Sequence, residues 1–141
     1  MLIRPYRTSD EAAVVALWVR CELTRPWNDP HADIARKVAV DPDLLLVGDV
    51  DGRVVATVMA GYEGHRGWIN YLAVHPEHRG RGHGRAIMEE AERLLRARGC
   101  PKINLQVRGD NTAAIGFYAA VGYRRDAVVS MGKRLVEDGR P

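Results

Sequence analysis

Between positions 79 and 85 the chain reads Arg-Gly-Arg-Gly-His-Gly-Arg, three glycines interleaved with three arginines and His83. Residues without a Cβ let consecutive backbone N–H groups close on an oxyanion, so Gly80, Gly82 and Gly84 can line an anion-binding turn. Arg79, Arg81 and Arg85 can add charge-assisted hydrogen bonds to phosphate oxygens. Ahead of the turn, Trp68 to Val74 has the length and composition of a buried strand; behind it, Ile87, Met88, Ala91, Leu94 and Leu95 recur at helical spacing. The first turn of that helix contributes unpaired N–H groups and the positive end of its dipole. These residues suit a phosphate-holding loop; the alternative is an Arg/Gly-rich surface loop with no ligand.

Two common phosphate loops are excluded by spelling. A P-loop ends in Gly-Lys-Ser/Thr, and no such triplet occurs in the chain. A dinucleotide-binding turn needs G-x-G-x-x-G and an acid about twenty residues on. The spacing here is G-x-G-x-G, and the residues near position 102 lack that acid. What the stretch does match is R-x-x-G-x-G, as Arg79, Gly82 and Gly84, directly after Leu72-Ala73-Val74. That resembles the pyrophosphate loop of the GNAT superfamily, the acetyl-CoA-dependent N-acetyltransferases.

A second constellation runs N-x-x-A-x-x-x-Y-x-x-x-G-Y, as Asn111, Ala114, Tyr118, Gly122 and Tyr123. Seven residues are two helical turns, so Asn111 and Tyr118 share one side of a helix, roughly 10 Å apart along it. Taken alone, Asn111 is an N-cap and Tyr118 a core aromatic. After a strand-turn-helix-strand unit the pair resembles the second GNAT signature. The resemblance covers nearly the whole chain and is most specific from 68 to 123.

The resemblance implies the roles. Leu72, Ala73 and Val74 would offer backbone groups to the pantetheine arm of acetyl-CoA from a bulged, splayed strand. Arg79, Gly80, Arg81, Gly82, His83, Gly84 and Arg85 would hold the pyrophosphate. Asn111 would meet the pantetheine, and Tyr118 would act as general acid at the thioester sulfur. The acceptor would lie at the first helix-to-helix loop, Arg25-Pro26-Trp27-Asn28-Asp29-Pro30, a segment that resembles the small bacterial YpeA-like subgroup. Trp27 and Asn28 are its candidate acceptor-binding residues, although Trp27 could equally anchor the loop on the core. No acid lies in 68–74, so the general base is open among Glu63, His65, Glu22 and an ordered water. The implied reaction transfers an acetyl group to a primary amine of a small molecule or protein; the alternative is a catalytically weak CoA-binding regulatory module.

The elements that must position these groups read as one mixed α+β domain over residues 1–141. A 46% apolar and 28% charged composition is that of a soluble globular protein. Of the net charge of +3, Arg79, Arg81 and Arg85 against Glu77 supply +2, which concentrates the surplus at the loop rather than along a nucleic-acid face. No Phe, Tyr or Trp lies between Leu72 and Asn104 to stack on bases. His75 and His78 lack further ligands at a credible metal spacing, and two isolated cysteines build no disulfide framework. No metal, nucleic acid or membrane is expected, and the expected setting is a cytoplasmic monomer or homodimer.

In chain order the pattern predicts an edge strand at Leu2–Tyr6 and a capping box with Thr8 as N-cap and Glu11 at N3. The helix after it should bury Ala12, Val15, Leu17, Trp18 and Cys21. A second helix over His31–Val40 is capped from Asn28-Asp29-Pro30. Strands at 44–50 and 53–62 flank the two-residue turn Asp51-Gly52, and the strand 68–74 completes a meander. A helix over 84–98 ends at Gly99, and a strand at 102–107 runs parallel to 68–74. The helix 111–121 contains Gly116, which costs about 1 kcal/mol relative to Ala unless something packs against it. Tyr123–Ser130 and Met131–Val136 should form a final antiparallel pair. The expected fold is therefore a mostly antiparallel sheet with one splayed parallel pair, flanked by about four helices.

Overall fold

Five strands lie side by side in chain order, β1 (Leu2–Pro5), β2 (Leu45–Val50), β3 (Arg53–Tyr62), β4 (Gly67–Val74) and β5 (Ile103–Leu105), in a computed structural model that describes residues 1–138. The first three pairings are antiparallel and β4–β5 is parallel. Helices α1 (Glu11–Arg20) and α2 (Pro30–Val40) cover one face, and α3 (His83–Ala97) covers the other. Helix α4 (Thr112–Ala120) follows β5 and lays Phe117 and Tyr118 on the α3 side. The two-residue period of β2 serves both layers: Leu44 and Leu46 enter the α3-side core, Leu45 and Val47 the α1-side core. The α+β class and the parallel βαβ unit are as the pattern implies.

Local signals explain most boundaries. Asp51 and Gly52 both take positive φ, 51° and 83°, as a primed hairpin turn requires. Asp29 accepts from His31 N at 2.9 Å with Pro30 at the first helical position. The capping box at Thr8 does not form. Residues Thr8–Asp10 make a 3-10 turn instead, because the Asp10 carboxylate accepts from Arg7 N at 2.8 Å and from Arg4 at 2.8 Å. That shifts the buried stripe of α1 onto Val14, Leu17 and Trp18 and leaves Ala12 exposed, with Val15 and Cys21 half-buried.

The final antiparallel pair is also absent among the described residues. β5 has only three residues, so it offers few backbone groups to a further strand. Side chains bridge there instead: Lys102 donates to Asp126 at 2.8 Å, and Gln106 bonds Ser130. Val128, Val129, Met131 and Leu135 are consequently exposed rather than paired.

The feature that shapes the site is a break in β4. Thr57 pairs with Ala73 and Met59 with Asn70, so Tyr71 and Leu72 together oppose Val58 alone. That is a β-bulge in β4. Tyr71 holds φ at +50°, a left-handed conformation that is strained for a bulky residue and costs on the order of 1 kcal/mol or more. Beyond the bulge the alternation is reset: Ile69 packs on the α3 side, and afterwards Leu72 and Val74 do. The strain is held by a buried relay. Trp18 Nε1 donates to Thr57 Oγ1 at 2.9 Å, Thr57 Oγ1 donates to Tyr71 O at 2.9 Å, and the Tyr71 ring stacks on Trp18 at 3.7 Å. Thr57→Val keeps the shape but orphans the Trp18 N–H and the Tyr71 carbonyl. It should lower unfolding free energy by about 1–3 kcal/mol in a urea titration. A loss within error of zero would show that the relay does not hold the bulge.

Candidate active site

β4 pairs with β5 only through Gly67, Trp68 and Ile69. From Asn70 to Val74 no strand covers its β5-facing edge among the described residues, because β5 ends at Leu105. Leu72, Ala73 and Val74 lie on this open stretch. The Val74 carbonyl accepts from Arg79 Nε at 3.0 Å and from the Cys21 thiol at 3.4 Å. A chain end carrying alternating amide donors and acceptors can add to an unpaired edge of this kind.

The turn after β4 begins with the short 3-10 segment Pro76–His78 and enters α3 at Gly82. Gly80 and Gly82 take φ of 77° and 81°, and a Cβ at either would meet nothing within 4 Å. Backbone freedom, not space, makes them glycines. Gly84 differs: a Cβ there would lie 3.1 Å from Phe117 Cε1. Its bareness lets α4 approach the first turn of α3. Below Gly82 the N–H groups of His83, Gly84 and Arg85 open the helix, where an anion is favoured.

The arginines divide by task. Arg79 turns back onto the β4 terminus, and Arg85 donates to the Ala120 carbonyl at the end of α4 at 3.3 Å. Arg81 is exposed and makes no hydrogen bond among the described residues. His78 packs between His75 and His83, and its buried Nδ1 has no hydrogen-bond partner among the described residues. Burial first, then the Arg81 charge, holds His78 toward the neutral imidazole. An open, bare turn with an unpartnered ring nitrogen beside it fits a phosphate-bearing ligand.

On α4, Asn111 is the N-cap, its Oδ1 accepting from Ala114 N at 3.1 Å. Tyr118 is wedged edge-on between Phe117 and Tyr123, at ring separations of 5.4 and 5.8 Å. Burial alone pushes its phenol up to about 12. Tyr123 pins the helix end to α3 by donating to Glu92 at 2.7 Å. Gly116 has no protein atom within 4 Å of an added Cβ, so packing within the chain does not account for it.

Across the sheet, the α1–α2 loop reaches the bulge. Asn28 Nδ2 donates to Tyr71 Oη at 3.1 Å and to the Asp33 carboxylate, and Tyr71 Oη donates to Asp33 at 2.6 Å. Burial and this carboxylate hold the Tyr71 phenol well above its usual range, hence protonated. Trp27 stands half in solvent, 53% exposed, and does not anchor the loop in the core. From the far end of the chain, Asp138 accepts from Asp29 N at 2.9 Å and is paired with Arg36. Tyr71, Asp33 and Asp138 escape a reading of spacing; only the Tyr within the apolar run at 68–74 was a visible signal.

The open question of the base narrows by geometry. Glu63 accepts from His65 N at 2.9 Å and from Arg66 N, which together hold its carboxyl low. Glu63 and His65 sit before Gly67, roughly 13 Å or more of strand from Tyr71. Glu22 is exposed in the α1–α2 loop and follows Cys21, whose thiol touches Val74.

Comparison with known proteins places the chain. The profile of the Acetyltransferase (GNAT) family matches residues 12–123. A curated acetyltransferase of Sodalis glossinidius is 55% identical over 139 residues, covering 98% of both chains. Among solved structures, Ard1 from Thermoplasma volcanium superposes with a TM-score of 0.76 at 24% identity, over 89% of this chain and 84% of that one. AAC(6')-Iy, solved with the bisubstrate analogue CoA-S-monomethyl-acetylneamine, gives 0.74 at 18% identity, over 94% and 97%. The two structural likenesses carry the fold.

The Asp138 tether yields a pH test. The Arg36 guanidinium, and then the Asp29 N–H, lower its carboxyl from 3.8 to about 2. A folded pKa below the unfolded one stabilises fully above about pH 4, and that contribution is lost as pH falls through about 2. Urea midpoints of wild type and Asp138→Asn should converge on that acid side and separate above it. Parallel curves would contradict the tether.

Proposed function

The chain belongs to the GNAT acetyltransferase family, and on that premise we propose that it binds acetyl-CoA along the open edge of β4 and transfers the acetyl group to a primary amine. The observation that carries the reading is one set of neighbouring features: an unpaired strand edge at 70–74, a bare turn at 80–84, and a half-buried phenol at Tyr118 on the helix after β5. When bound, the thioester supplies an activated acetyl group. Leu72, Ala73 and Val74 offer backbone groups to the pantetheine amides. The N–H groups of the Gly80–Arg85 turn hold the diphosphate with Arg81, and Asn111 sits at the start of the helix that flanks the arm.

Tyr118 takes the proton-donating role. With its phenol pushed up to about 12, it is fully protonated at neutral pH. As the amine nitrogen bonds the carbonyl carbon and the C–S bond breaks, Tyr118 hydrogen-bonds the departing sulfur and passes it the phenol proton. A thiolate of reference pKa near 8.5 is too weak a base to hold that proton against a tyrosinate, so the transfer is completed as the tyrosinate regains a proton from the one the amine releases. Alignment of amine and carbonyl by the splayed strands supplies the entropic part of the acceleration. The amine must arrive neutral; Glu22 or an ordered water takes its proton. The cytoplasm is the setting this chemistry fits, since acetyl-CoA is an intracellular metabolite, and no described helix is long and apolar enough to cross a membrane.

Two measurements test the reading. Calorimetric titration should show acetyl-CoA binding, and Gly82→Glu should weaken it by about tenfold or more, ~1.4 kcal/mol. Undiminished affinity in that variant would remove the turn from the site. In a thiol-release assay with an accepted amine, Tyr118→Phe should lower kcat by about a hundredfold or more while acetyl-CoA affinity stays within about twofold. Unchanged kcat would remove the acid assignment, and a chain that binds acetyl-CoA but releases no thiol with any amine would be a CoA-binding module instead.

A further inference from the structure

A groove of about 510 Å³ lies between the α1–α2 loop, helix α2 and residues 132–138. It is shallow and open to solvent, so charge rather than enclosure is what it offers a ligand. Two hydrogen bonds connect it to β4: Arg134 donates to Asn28 Oδ1 at 3.3 Å, and Asn28 Nδ2 donates to Tyr71 Oη at 3.1 Å. Whatever occupies the groove is therefore two side chains away from the strand stretch assigned above to the acyl donor.

Its charge is one-sided. Arg36, Lys133 and Arg134 line it against one carboxylate, Asp138, a surplus of two positive charges. That carboxylate is 1% exposed and is already taken by Arg36 and the Asp29 N–H. Asp33, behind the groove, is taken by Tyr71, Asn28 and Arg36. Lys133 and Arg134 have no carboxylate within ion-pair distance among the described residues, and Arg134 is bonded only to the Val136 carbonyl and Asn28. The rest of the lining is apolar: the exposed Trp27 indole, Leu135 and Val136.

We infer that this groove selects amines that carry an anionic group, a carboxylate or phosphate, close to an apolar substituent, and disfavours polycationic amines. The inference rests on the acetyl-transfer reading. Lys133 and Arg134 would receive the anion, and Trp27 with Leu135 the apolar part. A second ammonium in the acceptor would face two uncompensated cations, so discrimination comes from repulsion as much as from attraction. The same chemistry is found on a free amino-acid-like metabolite and on an acidic chain terminus.

The test uses the CoA-loaded protein for binding and saturating acetyl-CoA for turnover, with three α-amines: the dipeptide Phe-Asp, the dipeptide amide Phe-Lys-NH2, and a ten-residue peptide beginning Phe-Asp. Phe-Asp should bind more tightly than Phe-Lys-NH2 in calorimetry, and its kcat/KM for thiol release should be about tenfold higher. The double variant Lys133→Gln/Arg134→Gln should abolish that preference by raising KM for Phe-Asp and lowering it for Phe-Lys-NH2, with acetyl-CoA affinity unchanged. A higher kcat/KM for the dipeptide than for the longer peptide assigns the class to metabolites, and the reverse assigns it to chain termini; both support the inference. Equal or tighter binding of Phe-Lys-NH2 overturns it, as does a preference that survives the double variant. Absence of acetyl-CoA binding would instead sink the donor-site reading, so the two failures are distinguishable.

Discussion

β4 has to satisfy two incompatible demands, and the rest of the molecule is arranged around that conflict. On one side it pairs with β3 along nearly its whole length; on the other it must leave β5 after three residues. A regular strand would keep both neighbours. The bulge at Tyr71 and Leu72 adds one residue to β4 only, a device that bends a strand and increases its local twist, and it falls just where the pairing with β5 has ended. Tyr71 carries the cost as a left-handed backbone, and the Trp18–Thr57 relay and the stacked indole make that conformation the one that best satisfies the buried groups around it.

The same residue ties the two halves of the site together. Its backbone belongs to the strand that offers the open edge, while its hydroxyl belongs to the α1–α2 loop through Asn28 and Asp33. Asp138 then fastens that loop from the other end of the chain, through Asp29 and Arg36. A displacement of the loop is therefore felt at the bulge through a short series of hydrogen bonds rather than through bulk packing. This construction suits an acetyltransferase, in which an acceptor has to be brought up to the acyl donor's carbonyl.

The glycine turn shows how one motif can serve several physical purposes. Gly80 and Gly82 are needed for their positive φ, a conformation in which successive backbone N–H groups can form an anion-binding concavity. Gly84 is needed because Phe117 occupies the place of its side chain, and so the motif also sets how closely α4 docks on α3. That docking buries Tyr118 and raises its phenol. The arginines follow the same division: Arg79 and Arg85 hold carbonyls at the ends of β4 and α4, and Arg81 keeps its charge free.

Much of this architecture is legible locally. Spacing alone places helices at 31–40, 84–98 and 111–121, each bound within one residue of where it forms, with the primed turn at Asp51-Gly52 and the strand-turn-helix unit, because periodicity, caps and turn residues are near-neighbour effects. The R-x-x-G-x-G and Asn111–Tyr118 patterns point to the family for the same reason. Contacts that span the chain are another matter. Asp10 displaced the Thr8 cap because Arg4 from the first strand was within reach. The Thr57–Tyr71 relay joins neighbouring strands through a register that only pairing defines, and Asp138 meets Asp29 across most of the sequence. Residues 123–138 alternate enough to suggest strands, but a three-residue β5 offers too little edge to pair with, and side chains bridge the gap instead. Sequence determined the elements and the glycine–arginine turn; tertiary structure decided the bulge and the charge gathered beside the α1–α2 loop, since those depend on which distant groups come together.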